Sequence, residues 1–513
     1  MVYTNRSNHM SQPHSQTLAG GDAAELAQFG YTQSMERRTG RFASFAVAFA
    51  FVSIATGIFT TYGSVLNSSG PVGIWTWPIA VVGQLAVAFV LGSLASRIPV
   101  TGYAYQWMSR LANPVLGWII GWISFTFLAI VVVAVDYTIA STVLPVLLSY
   151  DGTTTVTWLV TALVLLAQAL LVGMSTKWSE RVNSGAVSAE LIGMLALTVL
   201  LLVVGFIRGD MNVANLWSKG AVAAEGFWSF GGWTSAGPWM LGFLLGAFTI
   251  VGFESAANLA EETTDPERVV PRSMVQAVLA SGVLGFVFLI AVTLAAGDPV
   301  ALAASGTPIA DVIKHTLGSV MSTLLLVMVV VAIFACGLVI MMTGVRLTWA
   351  MSRDERFPGW RQWNQISERF HTPLKATVMF FVLAELILAA FSRSQNALFT
   401  LFGAATLLPA VIYAATVVLY LIKRKQLPAN GKFDLGAWEK PVLIVAVVWL
   451  VFELALFRDA SFKNAWLYVL VMVVLGAIYL GVLLARRGRH GLAMPDMLSI
   501  DATLDRVAEQ DTP

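Results

Sequence analysis

"FTIVGFESAANLAEE", Phe248–Glu262, sets a glutamate two residues after a glycine in the middle of a long apolar run. A charge at bilayer depth is costly, so an intramembrane carboxylate is read as functional until packing accounts for it. A second oddity lies near the start of the chain. "SIATGIF", Ser53–Phe59, puts Gly57 among small and β-branched residues, again in the middle of an apolar run. Taken singly, each glycine is explained by close helix packing. The matched pair, one carrying Glu254, points instead to two broken membrane helices at corresponding places in two halves of the chain.

The rest of the composition agrees with a membrane setting. The 513 residues are 57% hydrophobic and 12% charged, with mean hydropathy +0.75. Soluble domains carry roughly 25% charged residues. Twelve apolar runs, near 42–67, 72–95, 114–147, 156–174, 182–207, 237–261, 271–296, 318–350, 374–392, 396–422, 439–457 and 465–485, are each long enough to cross a ~30 Å hydrocarbon core. They are called spans 1–12 below. The expected fold is an all-α polytopic membrane protein with 12 transmembrane helices.

The two interrupted runs are spans 1 and 6, five spans apart, which implies a five-plus-five inverted repeat with two extra C-terminal helices. The chain then divides into a disordered N-terminal tail (1–40), a first repeat (41–207), an extracellular loop (208–236), a second repeat (237–424), two extra helices (425–486) and a C-terminal tail (487–513). All but six of the 31 Lys and Arg fall in the tails, in the even-numbered loops or at the span ends beside those loops; the six are Arg208, Lys219, Lys314, Arg393, Arg458 and Lys463. Positive-inside bias therefore puts both termini in the cytoplasm of a cell-membrane protein. The tail 1–40 lacks the charged start, apolar core and small-residue cleavage site of a signal peptide.

Several function classes drop out. The net charge of +2 gives no reason to expect nucleic acid as a partner. All five histidines lie outside the spans, which argues against an intramembrane zinc or haem enzyme. The single Cys336 can form no internal disulfide and reads as a small buried hydrophobe. No enzyme chemistry and no cofactor are expected; the partners are a small solute and the lipid bilayer.

Broken helices free backbone groups that lipid cannot satisfy. A solute can. N–H groups after Thr56 and Gly57 would form a positive helix start suited to a carboxylate. Carbonyls at Ser53 and Val251 suit an ammonium, and Glu254 adds a full negative charge beside the Gly252 break. Glu254 is thus expected to meet a cationic amine, a proton, or each in turn.

At these residues the chain resembles the amino acid–polyamine–organocation transporters. "GFESAANLAEETTDPERVVP" (252–271), "SLASRIPVTGYAYQW" (93–107) and "MSRDERFP" (351–358) carry the likeness. "TGIFTTYGSVLNSSGP" (56–71) is most similar to the amino acid/choline branch, which includes GABA and choline permeases. The resemblance covers about residues 40–425. It implies a LeuT-like fold, alternating access, and a central amine or amino-acid site between helices 1, 3, 6, 8 and 10. It assigns Ala55-Thr56-Gly57 to the substrate carboxylate, although relatives usually have Gly-Ser-Gly there. Phe248 matches an aromatic that covers the substrate in relatives handling arginine and polyamines. Ser93 stands where many relatives have a glutamate. Glu190 stands where several carry a lysine, so it becomes the candidate for proton coupling, with sodium as the second possibility.

Four further acids call for a reading. Asp136 and Glu453 fall towards the outer ends of spans 3 and 11, within reach of water or a local partner. Glu385, on peripheral span 9, is expected to make a packing hydrogen bond. Glu261 and Glu262 close span 6 and are expected to pair with Arg268, Arg272 or other loop bases. The leading functional expectation is a proton-coupled importer of an amino acid, GABA, choline or a polyamine. An amine exchanger, or a transport-inactive sensor or channel, are the alternatives; oligomeric state is left open.

Overall fold

In the computed structural model, residues 26–32, 35, 37–148, 154–391, 397–427, 431–488 and 492 are described. Among them the chain is helical, with no strand and a single isolated bridge between Thr39 and Thr263. Eleven helices are long and apolar enough to cross a membrane, from Arg41–Ser68 to Ala460–Arg487. They correspond to spans 1–10 and 12. Span 11 is present as the helix Glu439–Leu456, whose 18 residues include Glu439, Lys440 and Glu453. Three charged residues in so short a helix, rather than any lack of apolar ones, set it apart, so the expected twelve becomes eleven membrane-length helices plus this one.

Span 8 starts earlier than hydropathy suggests. It runs Pro308–Arg353, 46 residues, with a bend at Gly318. Its first turns carry Asp311, Lys314 and His315, which hide them from an apolar window. Span 5 likewise extends back to Thr176, where the Ser175 side chain accepts from Trp178 N and caps the helix.

The two interruptions are both present. Span 1 is two helices, Arg41–Val52 and Ile54–Ser68, joined at Ser53 with φ 33° and ψ 97°. Span 6 starts as Pro238–Gly242 and Leu244–Thr249. It opens at Ile250–Gly252 and resumes as the 3-10 helix Phe253–Glu262. The first half of span 1 packs on the second half of span 6, and the second half of span 1 on the first half of span 6. The two broken helices therefore pass each other antiparallel. Both glycines enable that approach. A Cβ on Gly57 would lie 2.2 Å from Thr249 Cγ2, and one on Gly252 (φ +86°) would lie 1.8 Å from the Phe51 ring.

The expectation of a disordered tail over 1–40 fails for its last third. Leu26 and Phe29 are buried, Tyr31 is nearly so, and the N–H groups of Arg38 and Thr39 both donate to the Glu262 carbonyl (2.9 Å each). A polar composition hid three apolar anchors. Residues 1–25, most of the tail 487–513, Arg393, and the histidines at 9, 14 and 490 lie outside the described residues.

Candidate substrate and coupling site

The break in span 1 sits one turn earlier than expected, and the chain fills it from within. Ser53 Oγ accepts from Thr56 N (3.3 Å) and from Thr56 Oγ1 (2.7 Å), while Gly57 N donates to the Ser53 carbonyl (3.0 Å). A serine at a helix start is a strong cap because its oxygen meets N–H groups left without a partner. Neither the Thr56 and Gly57 N–H groups nor the Ser53 carbonyl is therefore free, contrary to expectation. The remaining donor at the helix start is met by span 5: Glu190 Oε1 accepts from Ala55 N (3.2 Å) and from Ser53 Oγ (3.1 Å).

Glu190 is 1% exposed. Its Oε2 has no hydrogen-bond partner, and it forms no ion pair among the described residues. The helix dipole and these two donors favour a carboxylate here, while burial opposes its charge.

Glu254 is also buried, at 3% exposure, but it faces span 10. Gly252 N donates to Tyr413 Oη (2.9 Å), and the Tyr413 hydroxyl donates to Glu254 Oε2 (2.5 Å). The Phe253 and Tyr413 rings pack with centroids 5.3 Å apart. One tyrosine thus satisfies both the freed N–H of the break and the intramembrane acid. Tyr413 was missed in the sequence; its signal is a hydroxyl-bearing ring inside an apolar run, which must find a partner when buried.

Between the two breaks lies a small cavity of about 20 Å³, room for one water. Thr56, Gly57, Thr249 and Val251 line it from the broken spans, with Phe248 above. Glu254 and Glu190 do not line it. Phe248 also forms the floor of a much larger vestibule of about 660 Å³, and its ring meets Phe402 edge-on with centroids 5.1 Å apart. The vestibule is walled by Asn67, Ser68, Ser305 and Asp459, at the end of the bundle remote from the N-terminal segment. Phe248 therefore lies between the cavity and the vestibule, and Phe402, which hydropathy could not single out, packs beside it.

The opposite end of the bundle is closed by ion pairs. Glu262 accepts from Arg346 Nε (2.9 Å), and Arg346 also reaches Thr176 Oγ1 (2.9 Å). Glu261 accepts from Arg353 Nη1 (2.9 Å) and from Thr101 N (3.0 Å). Arg346 belongs to span 8, and Arg353 lies just past its expected end at 350, among the loop bases expected; Arg268 lies 3.9 Å from Asp265 instead. Tyr31 of the N-terminal segment donates to Asp354 (2.8 Å) beneath the Arg353 guanidinium, 3.7 Å from the ring centroid. Burial and the Asp354 carboxylate push the Tyr31 hydroxyl up to about 12, so it stays a donor at physiological pH.

The other acids are structural partners. Asp136 is fully buried, not near water, and accepts from Gln168 Nε2 (2.8 Å). Glu453 is 1% exposed beside Gln84 Nε2 (3.3 Å). Both local pairings are present. Glu385 Oε1 is buried with no hydrogen-bond partner among the described residues, so the expected packing bond is not found there.

Two broken helices crossing in antiparallel, a cavity between their breaks, a vestibule on one side and ion pairs on the other define a membrane transporter. The chain belongs to the amino acid permease family, whose pattern it matches over residues 40–479. It is 26% identical to the amino-acid permease BAT1 of Arabidopsis thaliana over 83% of this chain and 86% of that one. Amino-acid permease 2 of Neurospora crassa is 27% identical, covering 94% and 90%. A putative polyamine transporter of Candida albicans is 22% identical, covering 90% and 86%. The chain is a permease and not an enzyme.

Proposed function

We propose that this permease imports an amino acid or related amine by alternating access, together with a proton bound at Glu190. The observation that carries this reading is the Glu190 carboxylate seated in the break of span 1, buried, half-partnered and without a counter-charge. A ligand can drive a conformational change only if it prefers one state. A proton on Glu190 does so if the break holds the carboxylate differently in the two access states.

Antiparallel packing of spans 1 and 6 supports a five-plus-five inverted repeat, with the last two helices outside it. In this arrangement the open vestibule and the ion-paired end describe a state accessible from one side. The substrate lies between the two breaks under Phe248, and its ends reach the backbone at Ser53, Ala55, Thr56, Gly57, Val251 and Gly252 by displacing the bonds that Ser53, Glu190 and Tyr413 make there. Glu254 acts one layer away, through Tyr413.

Uptake into proteoliposomes tests the proposal. A proton gradient, acid outside, should drive accumulation of an amino acid without sodium. Dependence on sodium would make Glu190 a cation ligand, and uptake only from vesicles preloaded with substrate would make the protein an exchanger. Basic-residue asymmetry puts both termini in the cytoplasm of the cell membrane. Cysteines placed at Ser68 and Ser305 should then react with an impermeant reagent outside intact cells, and one at Ser367 should not. Labelling only at Ser367 would reverse the orientation.

A further inference from the structure

We infer that the N-terminal segment, residues 26–39, is a strap across the closed end of the bundle, and that it must let go of span 8 before that end can open. This control rests on the alternating-access reading above. One end of the strap belongs with the two broken spans. Residue 39 leads into span 1 at Arg41, and the same stretch is bonded to the end of span 6. Arg38 N and Thr39 N both donate to the Glu262 carbonyl (2.9 Å each), and Thr264 N donates to the Thr39 carbonyl (3.1 Å).

The other end is held by unbroken helices. Met35 packs against Trp349 and Ala350 of span 8. Tyr31 donates to Asp354 Oδ1 (2.8 Å), the residue that follows that helix. Its ring also meets two guanidiniums, with Arg353 3.7 Å and Arg110 5.2 Å from the centroid. Arg110, on the helix Tyr103–Leu111, donates through Nη2 to the Phe29 carbonyl (2.8 Å). The Thr39 hydroxyl donates to Glu180 at the start of span 5.

The ion pairs of this end run between the same two bodies, from Glu261 and Glu262 of span 6 to Arg353 and Arg346. Opening here separates spans 1 and 6 from span 8. A segment fixed to both must then break one set of its contacts. The set at 38–39 is backbone bonding to span 6, continuous with span 1. The set at 29–35 consists of ring faces, one hydroxyl and one carbonyl, each a modest contact. The second set is the one that yields. Tyr31 also covers the ion pair it touches: the Arg353 and Glu261 side chains are 16% and 0% exposed. Lifting the strap admits water, and a hydrated ion pair holds weakly.

Reaction of Cys336 with N-ethylmaleimide in the purified full-length protein tests the strap without turnover, because this lone cysteine is buried beside the central cavity. Tyr31→Ala should speed the reaction by about 10-fold or more, through loss of a ring–cation contact and a hydrogen bond to a carboxylate. Tyr31→Phe keeps the ring and should give a smaller rise. Fastening the strap should do the reverse. In Met35→Cys with Ala350→Cys, a disulfide formed by oxidation should bring Cys336 labelling below the wild-type rate, and a reductant should restore it. This arm decides the matter even if Tyr31→Ala folds poorly. Labelling that the disulfide leaves unchanged, or failure of the two cysteines to join, overturns the strap. Equal Cys336 rates in folded Tyr31→Ala and wild type do so as well. Proteoliposome uptake of labelled L-alanine, L-arginine and putrescine, measured alongside, separates the two readings. Strap-independent labelling with uptake intact overturns the strap alone, whereas no uptake by the wild type overturns the alternating-access reading and the strap with it.

Discussion

Glu190→Gln is expected to bind and exchange substrate but to lose accumulation driven by a proton gradient. Glutamine keeps the shape and an acceptor oxygen for Ala55 N, so the start of the second half-helix stays capped. It cannot gain or lose a proton. One pH unit is worth about 1.4 kcal/mol per proton, enough for a roughly 10-fold accumulation of a zwitterion. In the variant that ratio should fall to 1 while counterflow of labelled substrate continues. An ion pair would have obscured the result, because removing one partner strands the other; Glu190 has none among the described residues. Accumulation at the wild-type ratio would exclude Glu190 as the coupling group and turn attention to Glu254 and Glu385.

Arg346→Met should open the closed end of the bundle. Arg346 and Glu262 are 1% and 5% exposed and paired at 2.9 Å. Breaking a buried pair by removing one partner costs about 3–5 kcal/mol, because the other charge stays buried and unpaired. A bias of that size moves a two-state equilibrium by about 10²–10⁴. Cys336, the only cysteine, is 2% exposed beside the central cavity and reports the change directly. Its reaction with a maleimide should accelerate strongly in Arg346→Met. Replacing both partners, Arg346→Met with Glu262→Leu, removes the stranded charge and should recover thermal stability even if the single variant folds poorly. Unchanged Cys336 reactivity in both variants would show that the pair does not hold the end shut.

Much of this arrangement could be read along the chain. Membrane crossings are continuous apolar stretches, so the spans emerge from local composition, and the misfit at span 8 arises where Asp311, Lys314 and His315 interrupt it. Gly57 and Gly252 revealed two matching interruptions because only a residue without a Cβ lets two helices touch at Thr249 and Phe51. The acids at Glu190 and Glu254 stood out because charge is rare and costly at that depth.

Partners were another matter. A carboxylate's role depends on the atoms within about 3 Å of it, and those come from distant parts of the chain. Tyr413, 159 residues from Glu254, supplies the hydroxyl that ties that acid to span 10. Glu190 and Ser53, 137 residues apart, filled a helix start that had looked vacant. Helical propensity also could not locate the break: Ser53 carries the unusual φ, not the Ala55-Thr56-Gly57 run, because its hydroxyl can cap the helix that follows. Hydrophobic patterning is written residue by residue and survives without a fold. Hydrogen-bond pairing, burial and the shape of a cavity are properties of packed neighbours, and they exist only once the helices have closed around one another.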